Sequence, residues 1–446
     1  MKLSKKKIIL LSFTLFSLFF GAGNLIFPPF LGQQAGSKAI IAFIGFIITA
    51  VVLPILGVIV VGKFNGLENL GSKVGVKFSI VFTLLIYLSI GPGLGIPRAG
   101  SVPFEMAVQP YLPHDANEKF WMVVYTLAFF SIVLWLCLEP GKLVKRVGTI
   151  LTPSLLILIV VMFFVYVIKG QKDIASPQGD YLLNSFVKGF EEGYQTMDAI
   201  AALNFGLVVV LTLNSFGIKE KKGIMKYTII AGIIAGTILM LVYAMLTTIG
   251  FGISNIYPDL ENGAEILSKI MFKLLGGFGA FILALIFTLA CLTTCIGLTN
   301  SISLYFSSKF KKISYKKWVV IIVIISFLIC NLGLDKILEI SVPILEAIYP
   351  VSIILIILGL CDNLFKNNRF IYKLCIYATA VISIIYVINN NFNLGAIAKL
   401  LAIIPLFDAG FGWVTISFIM FILSLILNLI FKNKKHNKLQ NKKVKV

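Results

Sequence analysis

Gly21-Ala22-Gly23-Asn24-Leu25-Ile26-Phe27-Pro28-Pro29-Phe30-Leu31-Gly32 interrupts an apolar run that starts after Lys5-Lys6-Lys7 and continues beyond it. Two glycines lower the cost of leaving helical geometry. The paired prolines remove N–H donors and crowd the preceding turn. One interruption is therefore expected at the glycines and a further one at Pro28-Pro29. A helix unwound inside hydrocarbon bares peptide groups, which is tolerated only where a ligand, water or protein pairs them. The new half-helix aims N–H groups and a positive dipole end at that place, which suits a carboxylate. The half before it ends in carbonyls, which suit a cation.

Lipid is the expected solvent of the whole chain. Of its 446 residues 59% are hydrophobic and 13% charged, against roughly 25% charged in soluble proteins. Runs such as Val319–Leu328 and Val351–Leu360 are continuous and lack a two-residue alternation, which favours helices over barrel strands. The net charge of +20 does not point to nucleic acid. Its lysines and arginines sit in short clusters between apolar runs, with no basic face on a soluble domain. The first apolar run resembles a signal peptide, but the apolar pattern resumes at Leu25, so it is read as a retained first helix.

About twelve spans are expected, at about 8–32, 39–62, 76–97, 120–138, 147–168, 190–214, 225–252, 275–306, 317–333, 338–361, 370–389 and 403–431. With the N-terminus in the cytoplasm, the inner segments gather most of the basic residues. They include Lys142, Lys145 and Arg146, the group from Lys309 to Lys317, and the tail from Lys432. This persists to the end of the chain and places both termini inside a cell membrane. The tail at 432–446 is expected to be a disordered extension near anionic lipid.

The sixth span carries a second interruption, Gly189-Phe190-Glu191-Glu192-Gly193-Tyr194-Gln195-Thr196-Met197-Asp198, with an acid inside the membrane. Two discontinuous helices five spans apart and opposite in direction mark a five-plus-five inverted repeat. The expected fold is all-α and polytopic. One transmembrane domain would cover 1–431, with repeats at about 8–168 and 190–361 and extra helices at about 370–431. Cys291 and Cys295 are four apart on a helix face and are read as packing residues. His114 and His436 are the only histidines, too few for a zinc site of the usual spacing.

The first-helix motif, Gly21 to Gly32, resembles that of the BrnQ family, the branched-chain amino acid cation symporters. Gly91-Pro92 with Ile96-Pro97-Arg98 and Glu105 is similar to the family's third-helix motif, and Gly193-Tyr194 with Thr196-Met197-Asp198-Ala199 to its sixth. The match runs over essentially the whole chain. Residues 99–101 read Ala-Gly-Ser where a Thr would be expected first, and Asn204 stands where an apolar residue is usual. The resemblance implies the LeuT-like fold of the amino acid–polyamine–cation superfamily. It also implies a site for a branched-chain amino acid built from Gly21, Ala22, Gly23, Asn24, Thr196, Asp198 and Ala199. Transferred by position, a Na⁺ site would take carbonyls of Ser17, Phe20 and Ala290 and hydroxyls of Thr293 and Thr294. The alternative for the two threonines is a bond back to their own helix.

An acid as deep as Asp198 usually faces a cavity or a partner. It is expected to meet the substrate ammonium or the coupling ion, carry a proton, or pair with groups at the helix break. Arg98 and Glu346 are candidate gates, Arg98 with a snorkelling anchor as its alternative. Asp408 is expected in an interfacial loop. The function expected is secondary uptake of leucine, isoleucine or valine, coupled to Na⁺ or H⁺ and with no cofactor. Carriage of another apolar amino acid is the runner-up, and an ion channel stands behind it. No HExxH or GxxxxGK[ST] motif suggests an enzyme or an ATP-driven pump. No oligomeric state is legible.

Overall fold

Apolar runs with no water to pair their backbones must satisfy them internally, and they do so as helices. The computed structural model describes residues 3–113, 115–139, 147–365, 368–392, 401, 403–407 and 410–443, and no strand occurs among them. Lys142, Lys145, Arg146, His114 and Asp408 lie outside the described residues. In chain order the helices are α1 (Lys5–Phe19), α2 (Ala22–Ala35), α3 (Ala39–Ile47), α4 (Leu53–Phe64), α5 (Leu67–Gly71) and α6 (Val76–Leu88). They continue as α7 (Gly95–Ala107), α8 (Glu118–Cys137), α9 (Thr152–Lys169), α10 (Tyr181–Tyr194), α11 (Asp198–Ser215) and α12 (Lys221–Gly252). The last are α13 (Gly263–Leu275), α14 (Gly277–Lys309), α15 (Tyr315–Cys330), α16 (Leu334–Leu360), α17 (Arg369–Phe392) and α18 (Gly412–Lys443).

Among the described residues, 9 helical stretches are long and apolar enough to cross a membrane, one of which, Ala22–Phe64, joins α2 to α4. The other expected spans correspond to the shorter α1, α15 and the apolar part of α18, Gly412–Asn428. Outward faces are apolar, as lipid requires: on α9, Ile157 is 62%, Phe164 57% and Ile168 77% exposed. By contrast every residue from Asp198 to Gly206 on α11 is buried, so α11 is a central helix.

The structure corrects several boundaries. The third span does not end near 97: after a break at 89–94 it runs on as α7 to Ala107. The last span starts at Gly412 and not at 403. The basic tail continues the helix to Lys443 where disorder was expected, in keeping with the helix propensity of its Lys, Leu and Gln residues and its lack of Gly and Pro. Pro28 and Pro29 do not interrupt α2. Neighbouring helices often re-satisfy the groups that a membrane proline frees, and α2 lies along α12.

The chain divides into two compact units, Met1–Gly66 with Leu85–Ser341, and Leu67–Leu84 with Val342–Val446. In the first, α1 and α2 pack along α12, while α10 packs along α3 and α11 along α4. Small residues allow this closeness. A Cβ on Gly250 would run into the carbonyl of Pro29, and one on Gly189 into the carbonyl of Ala42. Beside this group α14 packs on α7, and α15 on both α7 and α8. In the second unit α17 packs on α18, with Thr379 Oγ1 2.6 Å from Ser417 Oγ. Asp362 there pairs with Lys73 Nζ at 3.3 Å.

Candidate substrate site at three helix breaks

The first break is short. Helix α1 ends at Phe19, Phe20 and Gly21 are extended, and α2 begins at Ala22. The side chain of Asn24 reaches back so that its Oδ1 accepts the Gly21 N–H at 2.9 Å, as a capping residue does. The first-turn N–H groups of Ala22, Gly23 and Asn24 have no partner within α2.

The second break occupies Gln195, Thr196 and Met197, between α10 and α11. Met197 takes a left-handed conformation (φ 66°), uncommon for a residue with a side chain. Its N–H donates to Tyr194 O at 2.9 Å, and Thr196 Oγ1 donates to Gly193 O at 2.8 Å. Asp198 opens α11, where the helix dipole favours an acid.

A third break, in Gly91-Pro92-Gly93-Leu94, was not expected. Gly91 is non-helical and α7 restarts at Gly95. Arg98 therefore falls in the first turn of α7 and is buried inside the protein. Its Nη1 donates to Gln195 O at 3.2 Å, and its guanidinium lies 5.4 Å from the Phe27 ring centre. Glu105, further along α7, accepts the N–H of Leu334 at 3.0 Å and so caps α16.

The three breaks surround one cavity. It is lined by Gly21, Ala22, Gly23, Asn24, Arg98, Thr196, Asp198 and Thr294, and by the apolar Leu18, Phe19, Ile90, Ala99, Met197, Ala201 and Leu298. Of the expected substrate residues only Ala199 does not line it, being fully buried on α11. Asp198 Oδ2 accepts from Asn24 Nδ2 at 2.6 Å and from Tyr243 OH at 3.1 Å, and Asn24 Nδ2 also contacts the Tyr243 hydroxyl. Asn24, Asp198 and Tyr243 thus fasten both broken helices to α12. Tyr243 was not singled out from sequence; a hydroxyl deep in the aliphatic run 225–252 was its signal.

The expected cation ligands fall into two pairings. Thr294 Oγ1 donates to Phe20 O at 3.2 Å and, at the limit, to Ser17 O at 3.5 Å. Thr293 Oγ1 bonds back to Ala290 O at 2.9 Å, as the alternative for a helical Thr has it. All five are neutral oxygens, the donor type a hard monovalent cation takes. No group of three or more His, Cys, Asp or Glu suited to a metal ion occurs among the described residues. Glu346, on α16, belongs to the second unit and is half-buried.

Residues 4–431 match the family model described as branched-chain amino acid transport protein. The chain is 38% identical over 425 residues to the branched-chain amino acid permease BrnQ of Bacillus subtilis, covering 92% of this chain and 94% of the relative. It is 39% identical to the permease BraB of the same organism, covering 95% and 96%. It is 35% identical to the branched-chain amino acid transport system 2 carrier protein of Pseudomonas aeruginosa, covering 94% and 95%. Two solved structures share the fold. MhsT, solved in complex with L-phenylalanine, superposes with a TM-score of 0.51 at 16% identity, over 96% of this chain and 98% of that one. A mutant form of the manganese transporter of Eremococcus coleocola gives 0.53 at 12% identity, over 94% of each. The LeuT-like architecture expected from sequence is thereby shown.

Proposed function

Because the chain belongs to the branched-chain amino acid transport protein family, and is so a multi-pass membrane carrier and not an enzyme, we propose that it imports leucine, isoleucine or valine by symport with Na⁺ or H⁺. The observation that carries this reading is the cavity at the three breaks. It offers a zwitterion N–H donors at the start of α2 and acceptor groups at Thr196 and Asp198. Leu18, Ile90, Ala201 and Leu298 give an aliphatic side chain an apolar wall. MhsT, with the same fold, is solved with an α-amino acid, which supports a ligand of that class. The relatives' names favour branched-chain substrates over other apolar ones.

The coupling ion would sit with Thr294, Ser17 O and Phe20 O, and Thr293 with Ala290 O would complete its shell by turning from one another. Neutral oxygens favour Na⁺, and Asp198 keeps H⁺ in play. The positive-inside pattern supports a cell membrane with both termini in the cytoplasm. With inverted repeats at about 8–168 and 190–361, alternating access would move the bundle of the first, second, sixth and seventh spans, two from each repeat, relative to the spans around it. The reciprocal packing of the first span on the seventh and the sixth on the second supports such a repeat.

Uptake of labelled isoleucine into proteoliposomes, under separate sodium and proton gradients, tests the proposal. Expected is saturable uptake driven by one gradient and competed by leucine and valine. Uptake indifferent to both competitors sinks the substrate assignment. Flux without countertransport makes the protein a channel.

A further inference from the structure

We propose that Arg98 receives the substrate's carboxylate, and that it sets the requirement for an α-carboxylate among apolar ligands. The proposal rests on the functional reading above and deepens it. Arg98 is only 6% exposed. A guanidinium carries five N–H donors in a planar fork, and the protein engages it with one hydrogen bond, to Gln195 O at 3.2 Å, and with the face of Phe27. None of the ion pairs among the described residues involves it. The acid in the same cavity, Asp198, is turned to Asn24 and Tyr243 through its Oδ2.

A buried cation with no anion in direct contact is costly, and membrane proteins place such charges on substrate paths; the nearest acid, Asp198, lines the same cavity without pairing to it. The geometry says which anion fits. Nη2 lies 3.1 Å from where a Cβ on Gly23 would stand, so the fork abuts the first turn of α2. A carboxylate there meets the fork and the helix N-terminus together, the planar two-point match that Arg makes and Lys does not. Glycine at 23 lets Arg98, Phe27 and Gln195 O pack this close to the first turn of α2. A ligand with an amide in place of the carboxylate keeps one carbonyl acceptor for the guanidinium but loses the negative charge and the second oxygen, so the charge-assisted, two-point match is lost.

The test measures leucine and leucinamide binding to the same purified sample of wild-type protein, Arg98→Gln and Arg98→Lys. Expected is wild-type preference for leucine by about 10- to 100-fold, the range of a hydrogen-bonded charge. Arg98→Gln should lose that preference by weakening leucine while leucinamide is little changed, and Arg98→Lys should keep part of it. Because the readout is a ratio within one sample, it survives partial loss of folded protein, and Arg98→Lys carries the test if Arg98→Gln does not fold. Variants that bind both ligands more weakly at an unaltered ratio overturn the proposal and leave Arg98 a positioning residue at Gln195. Wild-type protein that binds neither ligand overturns the functional reading itself, a distinct result.

Discussion

Two buried aspartates, one in each unit, are treated differently. Asp362 is 4% exposed and Asp198 2%, and each accepts a tyrosine hydroxyl: Tyr372 at 2.9 Å and Tyr243 at 3.1 Å. Asp362 also has a cation, Lys73, at 3.3 Å. Asp198 has the amide of Asn24 instead, and Arg98 in the same cavity turns to a carbonyl. A buried ion pair neutralises itself and fixes a fold. Under the proposal above, an acid and a guanidinium kept apart around one cavity would meet the two ends of a zwitterion. Asp362 is matched by a cation within its own unit, whereas Asp198 and Arg98 line a cavity without pairing to one another.

The sharpest way to break this contrast is to neutralise each acid in turn. Asp198→Asn should lower cation-driven leucine uptake by about tenfold or more, the scale of a hydrogen bond to a charge, since the new amide would set a donor against Asn24 or Tyr243. Asp362→Asn should lower thermal stability by up to about 3 kcal/mol, less than a fully dry pair because Lys73 keeps 19% exposure, with uptake per folded molecule unchanged. Melting curves and uptake on the same preparations decide. If the two variants swap phenotypes, the contrast is wrong.

Thr294→Ala comes next in size. It removes the hydroxyl on Phe20 O and Ser17 O and should raise the half-saturating Na⁺ concentration about 5- to 10-fold, one hydrogen bond's worth, with maximal uptake less affected. Cation dependence identical to wild type would remove the ion from this place.

Much of the site was legible because breaks in a membrane helix leave a local signature. Gly21-Ala22-Gly23-Asn24 unwinds where expected, and Asp198 marks the second break. The third break carried the same signature, Gly91-Pro92-Gly93-Leu94-Gly95, yet the span was ended near 97. In lipid a charge reads as a helix end, and Arg98 and Glu105 follow at once. Both are satisfied inside the protein, by Gln195 O and by the Leu334 N–H, partners far off in sequence. Tyr243 was missed for the same reason, as its partners are 219 and 45 residues away. Pro28-Pro29 erred in the other direction: local chemistry called for a break, and α2 runs through it against α12. What a span does within itself is written locally, and what rescues or recruits it from a neighbour is not.

Asn204 sharpens the comparison from its neutral side and carries the smallest expected effect. It is fully buried on α11, and neither its Oδ1 nor its Nδ2 has a hydrogen-bond partner among the described residues. A buried amide left unpaired costs about 1–3 kcal/mol. Asn204→Leu, close in shape, should therefore raise thermal stability by about 1 kcal/mol after some of the gain is lost to repacking, with leucine uptake unchanged. A fall in uptake at preserved stability would give the amide a partner in another state of the cycle. The amide would then serve the transport cycle, and not stand as a cost the fold merely tolerates.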